Sequence, residues 1–229
     1  MANIIGTNNP ERLNGTGLAD LISGLGGNDI INGNGGDDTI DAGAGDDKVD
    51  GGLGNDIIRG GDGIDTLGGN AGNDFIYGGN GNDKLEGEAG NDRVFGEAGI
   101  DKLEGGLGND ALYGGNDNDE LVGDEGADLL GGGNGNDILE GGTGNDRMFG
   151  NAGIDTFVFE IADDSDRIMD FADNVDKIDL TSYDFANANA AKSFAAQVGA
   201  NVVFDFGAGD ILTVNNITLA QLTGVDFIL

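Results

Sequence analysis

Aspartate is the residue whose type and spacing could do chemistry here, because it recurs at every ninth position over most of the chain. Between Gly6 and Val158 the sequence divides into seventeen rows of nine residues, without insertion or deletion. The sixth position of the row is Glu11 in the first row and aspartate in all the others. Carboxylates repeated in strict phase indicate sites for hard cations, which prefer oxygen ligands. The candidate ligands are Asp20, Asp29, Asp38, Asp47, Asp56, Asp65, Asp74, Asp83, Asp92, Asp101, Asp110, Asp119, Asp128, Asp137, Asp146 and Asp155.

The other positions of the row predict the elements that hold these carboxylates. Position eight is apolar in every row, and position one is glycine except at Ala42. Glycine and asparagine at the first five positions suit tight turns, and the last three positions suit a short strand. Since a turn follows each strand, successive rows lie in opposite sheets and two rows form a coil of eighteen residues. The sequence predicts an all-β fold, a right-handed parallel β-roll (a β-helix-type solenoid) with a C-terminal mixed, mainly β cap.

Stacking the coils creates an electrostatic problem for the aspartates. Residues eighteen apart, such as Asp56 and Asp74, would lie one strand spacing from each other, about 4.8 Å. Two carboxylates at that distance repel unless a cation lies between them. Ca²⁺ takes six to eight oxygen ligands in flexible geometry, whereas Mg²⁺ demands a stricter octahedron. We predict on the order of ten to thirteen Ca²⁺ ions, held by these aspartates and by backbone carbonyls of the glycine-rich turns.

Composition excludes several classes of function. Lys and Arg number 10 against 43 Asp and Glu, for a net charge of −33, which disfavours nucleic acid as a partner. The chain has no Cys and no His, which removes a thiolate nucleophile, a Ser-His-Asp triad and the usual zinc ligand. No apolar run approaches the length of a membrane span. We therefore predict a protein that is not an enzyme and does not cross a membrane.

Two rows carry a resemblance to a known family. Gly78–Glu86 reads GGNGNDKLE and Gly141–Phe149 reads GGTGNDRMF, and both resemble the nonapeptide of repeats-in-toxin (RTX) proteins. The resemblance implies a calcium-binding β-roll that leaves a Gram-negative bacterium through a type I secretion exporter and folds outside the cell. The segment after the repeats looks like the C-terminal cap of RTX proteases and alginate epimerases, notably in Asp176–Leu180. The terminal Asp226–Leu229 resembles the family's uncleaved export signal.

We divide the chain into an N-terminal cap (1–14), the calcium-binding roll (15–158, with the repeat phase running from 6) and a C-terminal capping segment that includes the secretion signal (159–229). Within the last, we predict short strands at 166–171 and 176–180 that cover the open end of the roll. We also predict a helix over 188–198 and a hairpin over 201–214.

The two outer faces of the roll differ. Even-numbered rows place an aromatic ladder on one face, whereas odd-numbered rows place glutamates and lysines on the other. An exposed apolar patch usually marks a contact. The contact could be the chain's own C-terminal segment, a second subunit or an extracellular polysaccharide. The ladder residues are Phe75, Tyr77, Phe95, Tyr113 and Phe149.

Two non-enzymatic functions compete. The favoured hypothesis is a secreted calcium-binding β-roll protein, extracellular or at the cell surface, with a structural, adhesive or matrix role. The alternative is the C-terminal module of a larger secreted protease, lipase or alginate epimerase, where it would aid secretion and folding. Because Asn3–Thr7 runs directly into the first row, we expect a complete protein rather than an excised module.

Overall fold

Two long sheets of short strands face each other along the repeats. The computed structural model describes residues 1–229. Sheet A contains thirteen strands, which in their order across the sheet are Asn3–Ile5, Leu21–Ser23, Thr39–Ala44, Ile57–Asp62, Phe75–Asn80, Arg93–Ala98, Ala111–Asn116, Leu129–Asn134, Arg147–Ala152, Ser165–Ile168, Asp210–Val214, Asn201–Gly207 and Ala195–Val198.

Sheet B contains the strands of the alternate rows. Its eleven strands in order are Arg12–Asn14, Ile30–Asn32, Lys48–Leu53, Thr66–Ala71, Lys84–Ala89, Lys102–Leu107, Glu120–Gly126, Ile138–Glu140, Thr156–Val158, Lys177–Asp179 and Phe227–Ile228. A short extra strand, Thr143–Gly144, pairs with Glu120–Gly126. Consecutive rows thus alternate between the sheets, which confirms the predicted parallel β-roll.

The register repeats every eighteen residues, as the coil of two rows requires. Val94 pairs with Leu112 in sheet A, and Leu85 pairs with Leu103 in sheet B, both in parallel ladders. Position eight therefore meets position eight of the next coil. These side chains are fully or almost fully buried and form the core between the sheets. Each buried aliphatic side chain contributes on the order of 2 kcal/mol to stability.

The second residue of the row turns the chain with a positive φ, whether or not it is glycine. Gly79 has φ 113°, and the same position is occupied by Leu25 at 74°, Glu88 at 72° and Glu97 at 76°. A side chain in this left-handed region costs free energy that glycine does not. The roll therefore imposes the turn conformation on its less suited residues.

The parallel pairing continues beyond the regular repeats. Ser165–Ile168 extends sheet A and Lys177–Asp179 extends sheet B, with Met148 opposite Ile168 and Phe157 opposite Ile178. The predicted hairpin is present as Asn201–Gly207 and Asp210–Val214, which pair antiparallel. These strands lengthen sheet A at its end, so the chain's own C-terminal segment does not lie over the aromatic ladder, where Tyr113 remains 38% exposed.

The predicted helix over 188–198 is wrong in its extent. The α-helix comprises only Ala188–Lys192, and Ala195–Val198 forms the edge strand of sheet A instead. Pairing of Ala196 with Val203 across the sheet overrides the weak helical pattern of the sequence. A 3₁₀ turn, Thr181–Tyr183, is the remaining helical element. Neither helix has the length and hydrophobicity needed to cross a bilayer.

Candidate metal centre

The aspartate columns lie inside the two edges of the roll, beneath the turns. All sixteen predicted aspartates are buried, with Asp56 at 0%, Asp92 at 1% and Asp128 at 2% exposure. Position six points inward because the pleat places it on the same side as the apolar position eight. The fold thus lines up the carboxylates of each edge in one continuous column.

One oxygen of each carboxylate is used by the backbone of the preceding coil. The amide of Asp38 donates to Oδ1 of Asp56 over 2.7 Å, and the amide of Asp83 donates to Oδ1 of Asp101 over 2.8 Å. This bond repeats at eighteen-residue intervals along both columns. It fixes each carboxylate against the preceding coil, so neighbouring aspartates cannot turn away from each other.

The other oxygen, Oδ2, is buried without a hydrogen-bond partner in fifteen of the sixteen predicted residues, from Asp29 through Asp155. A buried carboxylate oxygen with no donor is expensive, and native proteins rarely leave one unpaired. Repeating that cost along both columns would oppose folding strongly. A cation beside each Oδ2 is the chemistry that would offset it.

Glycine at position one leaves the space next to these oxygens empty. A Cβ atom added to Gly51 would lie 2.6 Å from Oδ2 of Asp56 and 2.9 Å from the carbonyl oxygen of Gly69. On the opposite edge, a Cβ atom on Gly78 would lie 2.6 Å from Oδ2 of Asp83 and 2.8 Å from the carbonyl oxygen of Gly96. Carboxylate and carbonyl oxygens therefore face the same small space. Such an all-oxygen environment fits Ca²⁺.

No cluster of three or more acidic side chains that could hold a metal ion is present. A bound ion would therefore have few carboxylate ligands, and backbone carbonyls of the turns would have to supply the rest. The residues present fit Ca²⁺, which accepts mixed carboxylate and carbonyl ligands, better than zinc, which prefers nitrogen and sulfur.

The electrostatics of the columns follow from burial and from like charge. Burial, followed by the neighbouring carboxylates, raises the pKa of Asp56 to about 6, of Asp65 to about 7 and of Asp92 to about 7, from an ordinary value of 3.8. The hydrogen bond from the backbone lowers each pKa but does not outweigh burial. Without a cation, the columns favour protonation.

The first aspartate of the columns differs from the rest. Both oxygens of Asp20 have donors, because Oδ1 accepts from the amide of Ala2 and Oδ2 accepts from the amide (2.7 Å) and the hydroxyl (2.8 Å) of Thr16. The bond from Ala2 is the main cause that lowers the pKa of Asp20. Among the sixteen predicted residues, Asp20 therefore fits a metal ligand least well.

At the other end, the structure adds a residue that the predicted set omits. Oδ1 of Asp166 accepts from the amide of Asp146 over 3.0 Å, and its Oδ2 is buried without a partner, as in the repeats. Burial and Asp146 raise the pKa of Asp166 to about 9. An aspartate two residues before a buried isoleucine, as in Asp166-Arg167-Ile168, was the available signal. An insertion of two residues after Asp146 hides it from a strict count of eighteen.

The comparison with protein families agrees with this geometry. The family model described as RTX calcium-binding nonapeptide repeat (4 copies) matches in seven windows, which are residues 5–40, 14–49, 32–67, 59–94, 68–103, 95–130 and 122–157. No curated protein matches the chain.

Two solved structures are similar to parts of it. One is the AlgE6R3 subunit of the Azotobacter vinelandii mannuronan C5-epimerase, with 27% identity, a TM-score of 0.45, and 53% of this chain and 78% of that chain covered. The other is the extracellular lipase LipA from Serratia marcescens, with 20% identity, a TM-score of 0.27, and 97% of this chain and 40% of that chain covered.

The windows matched by the family model run without a gap from residue 5 to residue 157, well over half of the chain. They coincide with the strands of the regular roll and with the buried aspartate columns. The chain therefore belongs to the family of proteins with RTX calcium-binding nonapeptide repeats.

Proposed function

We propose that this protein is secreted and folds when calcium reaches its aspartate columns outside the cell. The observation that carries the proposal is the unpartnered, buried Oδ2 atom on fifteen successive aspartates of the rows. A folded state with that many uncompensated carboxylate oxygens would be strongly destabilised. A ligand that binds only the folded state stabilises it by mass action.

The predicted aspartates from Asp29 to Asp155 would hold the ions, together with carbonyl oxygens at position one. Aspartates eighteen apart would share a site, and their Oδ1 atoms are already fixed by backbone amides such as that of Asp74, which donates to Asp92 over 2.7 Å. The calcium ion supplies positive charge and a large, flexible coordination shell. Asp166 extends the same arrangement by one coil.

Calcium dependence would also suit export. At low calcium, repulsion along the columns and the high glycine content, 47 residues of 229, keep the chain unfolded. An unfolded chain can pass through a type I exporter, and millimolar calcium outside would then fold it. The extracellular or cell-surface location and the exporter are parts of this proposal.

The folded product would be a stiff rod with a structural, adhesive or matrix role. Each coil contacts only its neighbours, so the body extends in one dimension. Its core holds the strands together, and its two sheet faces remain available for contacts. The repeats contain no Ser-His-Asp triad and no Cys nucleophile, since the sequence lacks both His and Cys.

Far-UV circular dichroism at pH 7.5 tests the proposal. We expect a disordered spectrum in EGTA, a cooperative gain of β structure at millimolar Ca²⁺, and little gain at the same concentration of Mg²⁺. Calorimetry on the same samples would count the ions against the expected ten to thirteen. A spectrum that is folded in EGTA and unchanged by calcium would refute the proposal.

A further inference from the structure

The outer face of sheet A carries an ordered stack of rings. The rings of Tyr77 and Phe95 lie 4.9 Å apart and 7° from parallel, and those of Phe95 and Tyr113 lie 5.2 Å apart at 11°. In the next strand the ladder position is Gly131, and in the strand after it the position is Phe149. The stack therefore has one rung without a side chain.

The missing rung forms an apolar cleft of about 340 Å³. Its floor is Gly131–Gly133, and side chains of Tyr113, Leu129, Phe149 and Asn151 line it. Tyr113 and Phe149 are two strand spacings apart, about 9.6 Å, which leaves room for one ring at stacking distance from each. The cleft is thus the width of a single flat ring.

Arginines without anionic partners surround the ladder. The guanidinium carbons of Arg59, Arg93 and Arg147 lie 5.4, 5.1 and 5.8 Å from the ring centres of Tyr77, Phe75 and Phe149. None of the three makes a salt bridge or donates a side-chain hydrogen bond, whereas on sheet B Lys84 and Lys102 both pair with glutamates. Of the five cations of the repeats without such a partner, these three lie on the aromatic face, and Arg12 and Lys48 lie on sheet B.

The dimensions of this face argue against a protein partner. From Arg59 to Phe149 it crosses six strands, so it measures about 24 Å by about 14 Å. That area is well below the roughly 800 Å² that each partner buries in a standard interface. A thin chain of rings fits the face better.

Guanidinium groups match carboxylates in geometry, and flat apolar ring faces match aromatic side chains. We propose that the aromatic face binds a carboxylate-bearing polysaccharide, with one sugar ring inserted between Tyr113 and Phe149 and its carboxylate paired with Arg147. This inference rests on the proposed function, because the face exists only when the roll is folded. The calcium that folds the roll would also offset its negative charge, so the glycan approaches a less repulsive protein.

Filling the cleft is the most direct test. Gly131→Tyr adds the missing ring, and the nearest atom to its new Cβ would be Cδ1 of Tyr113 at 3.4 Å, an ordinary contact. Gly68→Tyr is the matched control, because Gly68 occupies the same position of its row on sheet B, with its nearest atom at 3.6 Å. In saturating calcium, the affinity for hyaluronan hexasaccharide or trigalacturonate should fall about tenfold in Gly131→Tyr and less than twofold in Gly68→Tyr.

A second variant separates charge from stacking. Arg147→Gln should weaken the two carboxylated sugars about tenfold and leave the weaker binding of neutral cellohexaose unchanged. The proposal fails if neither carboxylated sugar binds below about 1 mM. It also fails if Gly131→Tyr and Gly68→Tyr bind equally, if oligothymidylate binds more tightly than the sugars, or if sedimentation shows a calcium-dependent dimer that Gly131→Tyr dissociates.

The two proposals can fail separately. Circular dichroism of each sample reports whether calcium has folded the roll, independently of any sugar. A protein that folds in calcium but does not bind carboxylated sugars overturns only the binding site. A protein that is folded without calcium overturns the proposed function, and sugar binding would then be measured on it directly.

Discussion

The regular repeats leave a buried carboxylate oxygen without a donor on every aspartate of the columns from Asp29 to Asp155, whereas the C-terminal segment does so only at Asp166 and Asp173. In the repeats, Oδ2 of Asp92 is buried without a donor. In the C-terminal segment, Oδ1 of Asp226 accepts from the amide of Asn174 over 2.9 Å, and Oδ2 accepts from the amide (2.6 Å) and hydroxyl (2.9 Å) of Thr223. Asp176 is likewise satisfied, with 3.1 Å to the amide of Asp155 and 2.7 Å to that of Ala172.

The hydrophobic core is also thinner in the repeats than in the C-terminal segment. Each row of the repeats contributes one buried apolar side chain at position eight. The C-terminal segment instead packs aromatic rings together, with Tyr183 4.4 Å from Phe206 and 6.0 Å from Phe159 between ring centres. Irregular sequence can supply specific donors for carboxylates such as Asp176 and Asp226, together with a thick local core. A strict nonapeptide has too few residues to do either, and we therefore expect the repeats to depend on an external cation.

Calcium removal should produce the largest difference in stability between the two regions. In EGTA, we expect amides of residues 15–158 to lose their hydrogen-exchange protection, while those of the hairpin Asn201–Val214 retain part of theirs, because that region satisfies its own polar groups. Exchange measured by mass spectrometry on peptides resolves the regions. Equal protection of both regions without calcium would contradict the comparison.

Acid should partly replace calcium in the repeats. The pKa of Asp65 is about 7 in the folded roll and near 3.8 when unfolded, so the folded state binds more protons between these values. Stability of the calcium-free roll therefore rises as pH falls from about 7 towards 4. We expect β structure in EGTA at pH 4.5 that is absent at pH 7.5, as measured by circular dichroism. A calcium-free chain that becomes less ordered over this range would show that the carboxylates are stabilised as anions.

Neutralising a single carboxylate of a column should have a moderate effect on the calcium concentration needed for folding. Asp92→Asn keeps an oxygen that can accept the hydrogen bond from Asp74 but removes the charge from two neighbouring sites. We expect the calcium concentration for half-folding to rise about threefold. Asp41→Asn is the control, because it removes the same charge from an exposed position on sheet A. It should leave the calcium concentration for half-folding unchanged. Equal effects of the two substitutions would mean that the calcium dependence of folding follows the net charge of the chain only.

The smallest effect concerns turn strain within the repeats. Glu88 has φ 72°, so Glu88→Gly should relieve about 1 kcal/mol and raise the melting temperature in calcium by about 2–4 °C. Glu86→Gly is the control, because it removes the same charge from a strand position and also loses the contact with Lys84. Thermal melts of both variants should therefore move in opposite directions.

Most of the roll could be predicted from the sequence because its period is strict. A phase of nine fixes which residue turns, which points inward and which coil it meets, so Leu85 had to pair with Leu103. The C-terminal segment has no such phase. The pattern over 188–198 predicted a helix, but Ala195–Val198 became a strand, because a neighbouring hairpin offered it hydrogen bonds.

The sequence by itself determined that aspartates would form two columns and that aromatic residues would share one face. Tertiary structure decided which oxygen of each carboxylate is left without a donor, that Asp20 is satisfied, and that Asp166 joins the column across an insertion. It also decided that Gly131 opens a cleft in the ladder. Periodicity specifies which residues become neighbours, but individual hydrogen bonds and gaps depend on atomic positions that only the packed chain defines.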